Sequence, residues 1–202
     1  MIGYSKNLPA DERRAVTVQA VVELAAERNP SDITTAAIAK RMGLTQGALF
    51  RHFPTKEAIL ESVMAWIANR LLTRIDEAAA QASTPMAAME ATFMAHIKFV
   101  SEHPGVPRIL FGELQRPGDT LPKKMVQTLL RQYRERLQRL LDAGIAAEEL
   151  APNLDISAAA ALFIGSIQGL VMQTLISGDT AHIVKAGPGV FAIYCRGIGR
   201  TV

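Results

Sequence analysis

Two short predicted helices meet in the segment from Ile38 to Leu49, where polar residues follow a glycine. Ala39 is small enough to lie where two helices cross closely, and Gly43, four residues later, is expected to make the turn. The second helix begins with polar or small residues, at the place where base edges in a DNA major groove would be met. Four apolar residues can fill the wedge between the helices: Ile38, Met42, Leu44 and Leu49. This spacing predicts a helix-turn-helix and favours DNA binding, although the same turn is common in folds with no DNA role.

No constellation of catalytic residues is found in the sequence. It has no phosphate-cradling glycine loop, no Ser-His-Asp arrangement that can be placed, and no pair of cysteines for a metal. His96 and His103 could share a metal only if one helix ran through both, and a lone histidine among apolar residues is more often a hydrogen-bonded core residue. The single cysteine, Cys195, is interpreted as a buried, unreactive thiol. We therefore predict that the protein is not an enzyme and uses no metal or cofactor.

The net charge of +3 is unevenly distributed along the chain. Residues 1–56 hold eight basic and five acidic side chains, whereas the remaining residues are balanced. A locally basic segment is the electrostatic pattern expected for a polyanionic partner, although a solvated surface explains so small an excess equally well.

The composition predicts an all-α fold of about nine helices, because alanine is abundant and aromatic residues make up only 5% of the 202 residues. Hydrophobic periodicity and helix-stop signals divide the chain into an N-terminal helix-turn-helix domain over residues 1–56 and a larger helical domain over residues 57–202. The helices are expected at about residues 10–28, 35–42, 46–52, 56–81, 86–102, 106–114, 123–143, 153–177 and 189–199.

One predicted helix, Ile156 to Ile176, is long and apolar enough to cross a bilayer. Polar residues such as Ser166, Gln168 and Gln173 interrupt it, and a helix buried in protein tolerates them better than lipid does. No secretory signal is visible at the N-terminus, and a single cysteine suits a reducing compartment. We expect a cytoplasmic protein without membrane partners.

The residues around the turn resemble a known family. Arg13-Arg14, the pair of short helices and the run from Gly47 to Ala58 closely resemble the N-terminal domain of the tetracycline-repressor (TetR) family of transcription regulators, over roughly residues 10–65. The resemblance implies an all-helical homodimer that binds double-stranded DNA at a palindromic operator. It makes residues 1–56 a DNA-binding domain and residues 57–202 a ligand-binding and dimerisation domain. It also implies release from DNA when a ligand binds the larger domain.

The resemblance assigns roles to individual residues. Residues 46–52 become the recognition helix, in which Gln46 is the best candidate for reading a base, favouring adenine, and Arg51 would reach a guanine edge or a phosphate. Thr45 would cap this helix and touch a phosphate. The expected DNA-binding residues are Thr34, Thr45, Gln46, Gly47, Ala48, Phe50, Arg51, His52 and Lys56.

Two positions depart from the family pattern. Phe50 stands where the family usually has tyrosine, and Ala36 stands where many members have a basic residue, so two phosphate contacts are in doubt. Such a protein would bind DNA more weakly or with more sensitivity to salt, unless groups such as Arg41 compensate.

The larger domain is predicted to hold a small lipophilic ligand, because its helices are apolar with few polar interruptions. A helical core without a ligand would look the same at any single position. The candidate pocket residues are Phe93, Met94, His96, Phe99, Ile109, Phe111, Tyr133, Phe163, Ser166, Gln168 and Met172.

The last two helices carry more apolar surface than one small core needs, which predicts a dimer interface. Small residues in this surface would allow close helix contact. The candidate interface residues are Leu162, Gly165, Gly169, Leu170, Gln173, Phe191, Tyr194 and Ile198.

Together these features predict a ligand-responsive transcription regulator, a repressor released from a palindromic operator by a small lipophilic molecule. Two alternatives stay open: a helical small-molecule binding protein with a vestigial helix-turn-helix, and a DNA-binding activator or nucleoid-type protein that needs no ligand.

Overall fold

The computed structural model of the chain describes residues 9–200, and this part of the protein is helical, without strands. It therefore confirms the all-α prediction. A 3-10 turn lies at Pro30–Asp32, and an isolated bridge pairs Leu150 with Gly199. The described helices are α1 Ala10–Glu27, α2 Thr35–Arg41, α3 Gln46–Phe50, α4 Lys56–Ala80, α5 Pro85–Glu102, α6 Gly105–Gln115, α7 Leu121–Ala146, α8 Ile156–Ser177 and α9 Ala181–Ile198.

The chain forms two compact units, and two helices contribute to both. The first unit contains the residues up to Asn69 together with His103–Thr128, and the second contains Arg70–Glu102 and the residues from Leu129 onward. The first unit is thus larger than the segment 1–56 that the sequence marked as a DNA-binding domain, because it also includes α6 and the beginnings of α4 and α7.

The first unit is built on the apolar side of α1. Val18, Val21 and Leu24 of this helix are buried, as are Ile59 of α4 and Ile109 of α6. Val18, Val21 and Leu24 are three residues apart and lie on one side of α1, and burial of this apolar side stabilises the helix.

Helix α6 approaches α1 so closely that only glycine fits at its first residue. A Cβ atom at Gly105 would lie 2.0 Å from the carbonyl oxygen of Val22 and 2.9 Å from the backbone nitrogen of Ala26. These neighbours are main-chain atoms, so they cannot move aside as a flexible side chain would. Gly105 thereby sets the distance between α6 and the helix that supports the helix-turn-helix.

The second unit packs α5, α8 and α9 together around aromatic side chains. Phe93 and Phe163 are fully buried, and their ring centroids are 5.2 Å apart in an edge-to-face arrangement. Arg136 of α7 forms two hydrogen bonds with the carboxylate of Asp76 of α4, at 2.8 and 2.9 Å, which joins the two long helices within this unit.

Helix α8 is the described helix that is long and apolar enough to cross a membrane by length and composition alone. A helix packed inside a folded domain passes the same test. Here α8 packs on α5 and α9 with one side and exposes the other side.

The prediction that the last helix begins near Gly189 is wrong, because α9 begins at Ala181 and contains Pro188. Proline inside a helix removes a hydrogen bond at a cost of about 3 kcal/mol. Packing offsets that cost: a Cβ at Gly187 would lie 2.5 Å from Cδ1 of Ile97, so α9 passes directly over α5 there. Ile183 and Phe191, before and after the proline, are both buried.

We expect Gly105→Ala to lower the free energy of unfolding by about 3 kcal/mol, because the new methyl group would collide with the backbone of α1. Chemical denaturation measures this. Gly112→Ala on the same helix is the matched control, since its Cβ would lie 3.9 Å from Cβ of Pro30, an ordinary contact. The control should match wild type or exceed it by up to about 1 kcal/mol. Equal midpoints for wild type and Gly105→Ala would contradict the packing argument.

Candidate DNA-binding surface and apolar core of the second unit

The turn between α2 and α3 has the geometry that the sequence predicted. Gly43 has a φ of 66°, the left-handed conformation that favours glycine. Its N–H donates to the carbonyl of Lys40 at 3.1 Å, and the N–H of Leu44 donates to the carbonyl of Ala39 at 2.9 Å. These two bonds form a Schellman motif, which ends α2 and turns the chain into α3. The helix-turn-helix is confirmed.

Each of the two short helices is capped by a threonine. The hydroxyl oxygen of Thr34 accepts from the N–H of Ala37 at 3.1 Å, and that of Thr45 accepts from the N–H of Ala48 at 3.2 Å. Both hydroxyls use an oxygen lone pair for the cap and keep their own O–H to donate. Both threonines are exposed, so that O–H is available to a ligand such as a phosphate oxygen.

Helix α3 buries Leu49 and leaves its other residues exposed or partly exposed. Leu49 is 1% exposed and anchors the helix, whereas Gln46, Gly47 and Phe50 are exposed, Phe50 to 40%. A Cβ at Gly47 would meet nothing within 4 Å, so the backbone there is open to the approach of another molecule. None of the nine predicted DNA-binding residues is buried: Thr34, Thr45, Gln46, Gly47, Phe50 and Arg51 are exposed, and Ala48, His52 and Lys56 are partly exposed.

One hydrogen bond on this surface was not predicted. Nε2 of Gln46 donates to Oγ1 of Thr35 at 2.7 Å, which joins the first residue of α3 to the first residue of α2. Sequence reasoning missed Thr35 because the bond spans eleven positions. The available signal was that each of the two residues directly follows a capping threonine.

Arg41 binds to α1 and does not face outward as a substitute phosphate contact. Its guanidinium lies 3.4 Å from the carboxylate of Glu23 and 2.5 Å from that of Glu27. The hydrogen bond from Arg41 lowers the pKa of Glu27, and the bond to Glu27 in turn raises the pKa of Arg41. The Arg41 side chain thus ties α2 to α1.

Lys56, at the start of α4, lines an open cleft of about 380 Å³ in the first unit. Its neighbours there include Pro30, Ser31 and the buried Glu113. Glu113 lies 3.3 Å from Arg116, so its charge is paired at one side of the cleft.

In the second unit, four of the predicted pocket residues come together. Tyr133 lies between Phe163, at 6.5 Å between ring centroids, and His96, at 5.3 Å. Phe93 packs on Phe163 and also on Phe191, at 5.3 Å. We call Phe93, His96, Tyr133, Phe163, Phe191 and Tyr194 the aromatic cluster.

The remaining predicted pocket residues lie outside the aromatic cluster. Ile109 and Phe111 belong to α6 in the first unit, and Gln168 and Met172 are exposed on α8. Phe99 is buried beneath the guanidinium of Arg74, which lies 5.6 Å from its ring centroid. The other two, Met94 and Ser166, are partly exposed.

A polar pair lies within the aromatic cluster. Nδ1 of His96 and the hydroxyl of Tyr133 are 3.1 Å apart and hydrogen-bonded. Burial lowers the pKa of His96 to about 4 and raises the pKa of Tyr133, so both side chains are neutral at neutral pH. His103 lies after the end of α5 with its ring 5.2 Å from that of Trp66, so no single helix runs through both histidines.

The predicted interface residues divide between surface and core. Leu162, Gly165, Gly169 and Gln173 are exposed on α8. Leu170, Phe191, Tyr194 and Ile198 are no more than 4% exposed and pack inside their own unit, where the hydroxyl of Tyr194 donates to the carbonyl of Ala159 at 3.1 Å. These four were wrongly expected on the outer surface, because a helix that is apolar all round does not show from its sequence which side turns inward.

The outer surface of these helices carries other apolar side chains instead. Ile176 is 79% exposed and Ile193 is 65% exposed. We call the exposed apolar residues of α8 and α9 the outer face: Leu162, Met172, Ile176, Val184 and Ile193.

Comparison with known proteins agrees with this architecture. Residues 18–63 match the family described as bacterial regulatory proteins, tetR family, and residues 116–188 match the tetracyclin repressor-like C-terminal domain. The nucleoid occlusion factor SlmA of Marinomonas sp. (strain MWYL1) is 25% identical over 93% of this chain and 95% of its own length. SlmA of Shewanella oneidensis is 26% identical over 82% of this chain and 84% of its own length.

Solved structures share the whole fold at low sequence identity. The transcriptional regulator FadR of Bacillus subtilis, in complex with stearoyl-CoA, aligns with a TM-score of 0.80 and 21% identity over 91% of this chain and 98% of that one. The ketosteroid transcriptional regulator KstR2 of Mycobacterium tuberculosis aligns with a TM-score of 0.76 and 20% identity over the full length of both chains.

The fold and the exposed helix-turn-helix define the class of DNA-binding regulatory proteins. The two family matches together span more than half of the chain. The chain belongs to the TetR family of bacterial transcription regulators.

The stability of the second unit should depend on pH through His96. Its pKa is about 4 in the folded chain and about 6.5 in the unfolded chain, so between these values the unfolded state binds more protons. Stability is therefore full above about pH 6.5 and falls as the pH is lowered towards 4, by about 2 kcal/mol when partial solvent contact is allowed for.

Denaturation at a series of pH values measures this loss. His96→Gln removes the titrating group but can still hydrogen-bond to Tyr133, so its unfolding free energy should fall less steeply over the same range. Parallel curves for the two proteins would show that His96 does not carry the effect.

Proposed function

We propose that this protein is a ligand-responsive repressor that binds a palindromic operator as a homodimer and leaves it when a small lipophilic molecule binds the second unit. The observation that carries the proposal is the exposed surface of α3, which presents hydrogen-bonding side chains. The cap at Thr45, the turn at Gly43 and the buried Leu49 hold this helix in one orientation. An exposed polar helix held this firmly suits insertion into a major groove.

The proposed division of roles on this surface follows from chemistry. Gln46 offers a donor and an acceptor to a base edge, and Arg51 offers the forked donors that suit guanine or phosphate. Thr34 and Thr45 keep O–H groups for phosphates. Phe50 has no hydroxyl to donate, so it would contribute apolar contact with a thymine methyl group or a sugar in place of a phosphate bond.

The outer face is the proposed dimer interface. Large apolar side chains that stay exposed on two helices often mark an interface. Gly165 and Gly169 support the proposal, since a Cβ at either would meet nothing within 4 Å, which leaves room for a partner helix to approach. A twofold dimer presents two copies of α3, which is why a pseudo-palindromic operator is proposed.

The aromatic cluster is the proposed place for the ligand. The cluster combines packed apolar rings with one oriented polar pair, His96 and Tyr133, which are the groups typical of a lipophilic ligand site. A ligand would have to separate these rings in order to enter. Two structural neighbours support a lipophilic ligand: FadR was solved in complex with stearoyl-CoA, and KstR2 is described as a ketosteroid regulator. For release, the ligand must bind the state that is incompetent for DNA more tightly than the state that binds it.

The working environment proposed is the cytoplasm, where DNA is accessible and the thiol of Cys195 stays reduced. Burial raises the pKa of that thiol to about 11, and its sulfur lies 3.4 Å from the sulfur of Met86. It is therefore a protonated packing residue at neutral pH.

A second candidate function is a nucleoid-type role without a small-molecule ligand. The observation that favours it is the similarity to SlmA over 93% of this chain. Ligand-dependent release separates the two functions. Stearoyl-CoA is the first compound to test against the protein–DNA complex, with coenzyme A alone as its control.

We expect Gln46→Ala and Arg51→Ala each to weaken binding by about 10- to 100-fold to a duplex that wild-type protein selects from a random pool. Fluorescence anisotropy at fixed salt measures the affinity. Gln138→Ala and Arg139→Ala, which change exposed residues of the same types on α7, are matched controls and should bind as wild type does. Equal affinity of wild type for selected and random duplexes would argue against a sequence-specific regulator.

We expect Ile193→Glu to weaken dimerisation by about 100-fold, because a carboxylate would be buried without a partner at the outer face. Sedimentation velocity over a range of concentrations measures the dimer. Leu121→Glu changes a residue that is 53% exposed in the first unit and should leave the dimer intact. A dimer that survives Ile193→Glu would place the interface elsewhere.

A further inference from the structure

The hydrogen bond between Gln46 and Thr35 lies on the proposed DNA-binding surface, and neither the capping nor the packing of α2 and α3 depends on it. Thr34, not Thr35, caps α2, and Thr45 caps α3. The α2–α3 packing rests on buried residues such as Ile38 and Leu49. A bond of 2.7 Å between an exposed amide and a partly exposed hydroxyl adds little to stability, since water competes for both groups.

The bond has a clear effect on the glutamine itself. A free glutamine side chain has three rotatable bonds, and ordering it costs on the order of 1.5 to 2 kcal/mol. With one N–H held by Thr35, the amide plane is fixed before any partner arrives. The cost of ordering Gln46 is then met in the folded protein and not at the moment of binding.

The bond also determines what the amide can offer. Of the two N–H groups on Nε2, one donates to Thr35, which leaves the other N–H and the oxygen Oε1. One donor beside one acceptor is complementary to the major-groove edge of adenine, where the N6 amino group donates and N7 accepts. Cytosine and thymine do not present that pair of groups on one base.

We propose that Thr35 is a specificity-determining positioning residue, which orients the amide of Gln46 so that it reads adenine in the operator. The proposal deepens the DNA-binding role proposed above and rests on it. Thr35 acts through Gln46 and is not itself required to touch a base.

The experiment uses the full-length protein and duplexes that wild type selects from a random pool. Four variants are compared with wild type: Thr35→Val, Thr35→Ser, Gln46→Ala and the Thr35→Val/Gln46→Ala double variant. Valine has the shape of threonine without the hydroxyl, and serine keeps the hydroxyl. Discrimination is measured as the ratio of Kd values for the selected duplex and for duplexes with one base pair changed, at fixed salt.

We expect Gln46→Ala to lose discrimination at one A·T pair by about tenfold or more, the value of a bidentate base contact. Thr35→Val should lose most of that discrimination at the same pair, Thr35→Ser should keep it, and the double variant should be no worse than Gln46→Ala alone. Thermal unfolding of Thr35→Val should match wild type, which separates positioning from folding.

Three results would overturn the proposal. The first is full discrimination by Thr35→Val, and the second is an equal loss of its affinity for every duplex, as a simple phosphate contact would give. The third is a double variant in which the losses of discrimination of the two single variants add. In each case the proposed regulator would stand, because wild type would still select a sequence. If wild type selects no common sequence, the proposed function fails together with this inference.

Discussion

The whole DNA-binding surface depends on holding a helix of five residues in place. An isolated helix of that length is not stable in water, because too few hydrogen bonds offset the cost of nucleation. In this protein α3 forms because three constraints act on it together: the positive φ of Gly43, the cap from Thr45 and the burial of Leu49. Each acts on a different side of the helix, so the exposed side is presented in one orientation.

The support for α3 extends outward through the first unit. Arg41 holds α2 to two carboxylates of α1, and Gly105 lets α6 lie against the backbone of the same helix. Helix α1 is therefore the common support of both the DNA-binding helices and α6. Interlocked backbone contacts of this kind resist gradual deformation, so a shift of one helix has to be followed by its neighbours.

The second unit differs from the first, because its helices α8 and α9 are apolar on more than one side. One side of each is used for the aromatic cluster, where ring contacts and the His96–Tyr133 pair fill the core. The other side leaves aliphatic residues such as Ile176 and Ile193 in contact with solvent. The dimer proposed above would account for that surplus, because each copy would need an apolar surface to pack against the other.

The features that the sequence determined by itself are those that depend on residues close together in the chain. Threonine caps, the glycine turn and helical periodicity involve residues within a few positions of one another, so the helix-turn-helix and most helix ends could be predicted from residue order. Tertiary structure alone decided which side of α8 and α9 faces inward, how far α9 extends before Pro188, and that Arg41 turns towards α1. It also decided that Thr35 meets Gln46. These outcomes depend on neighbours that are distant in sequence, and no local pattern records which neighbour a side chain will contact once the chain has folded.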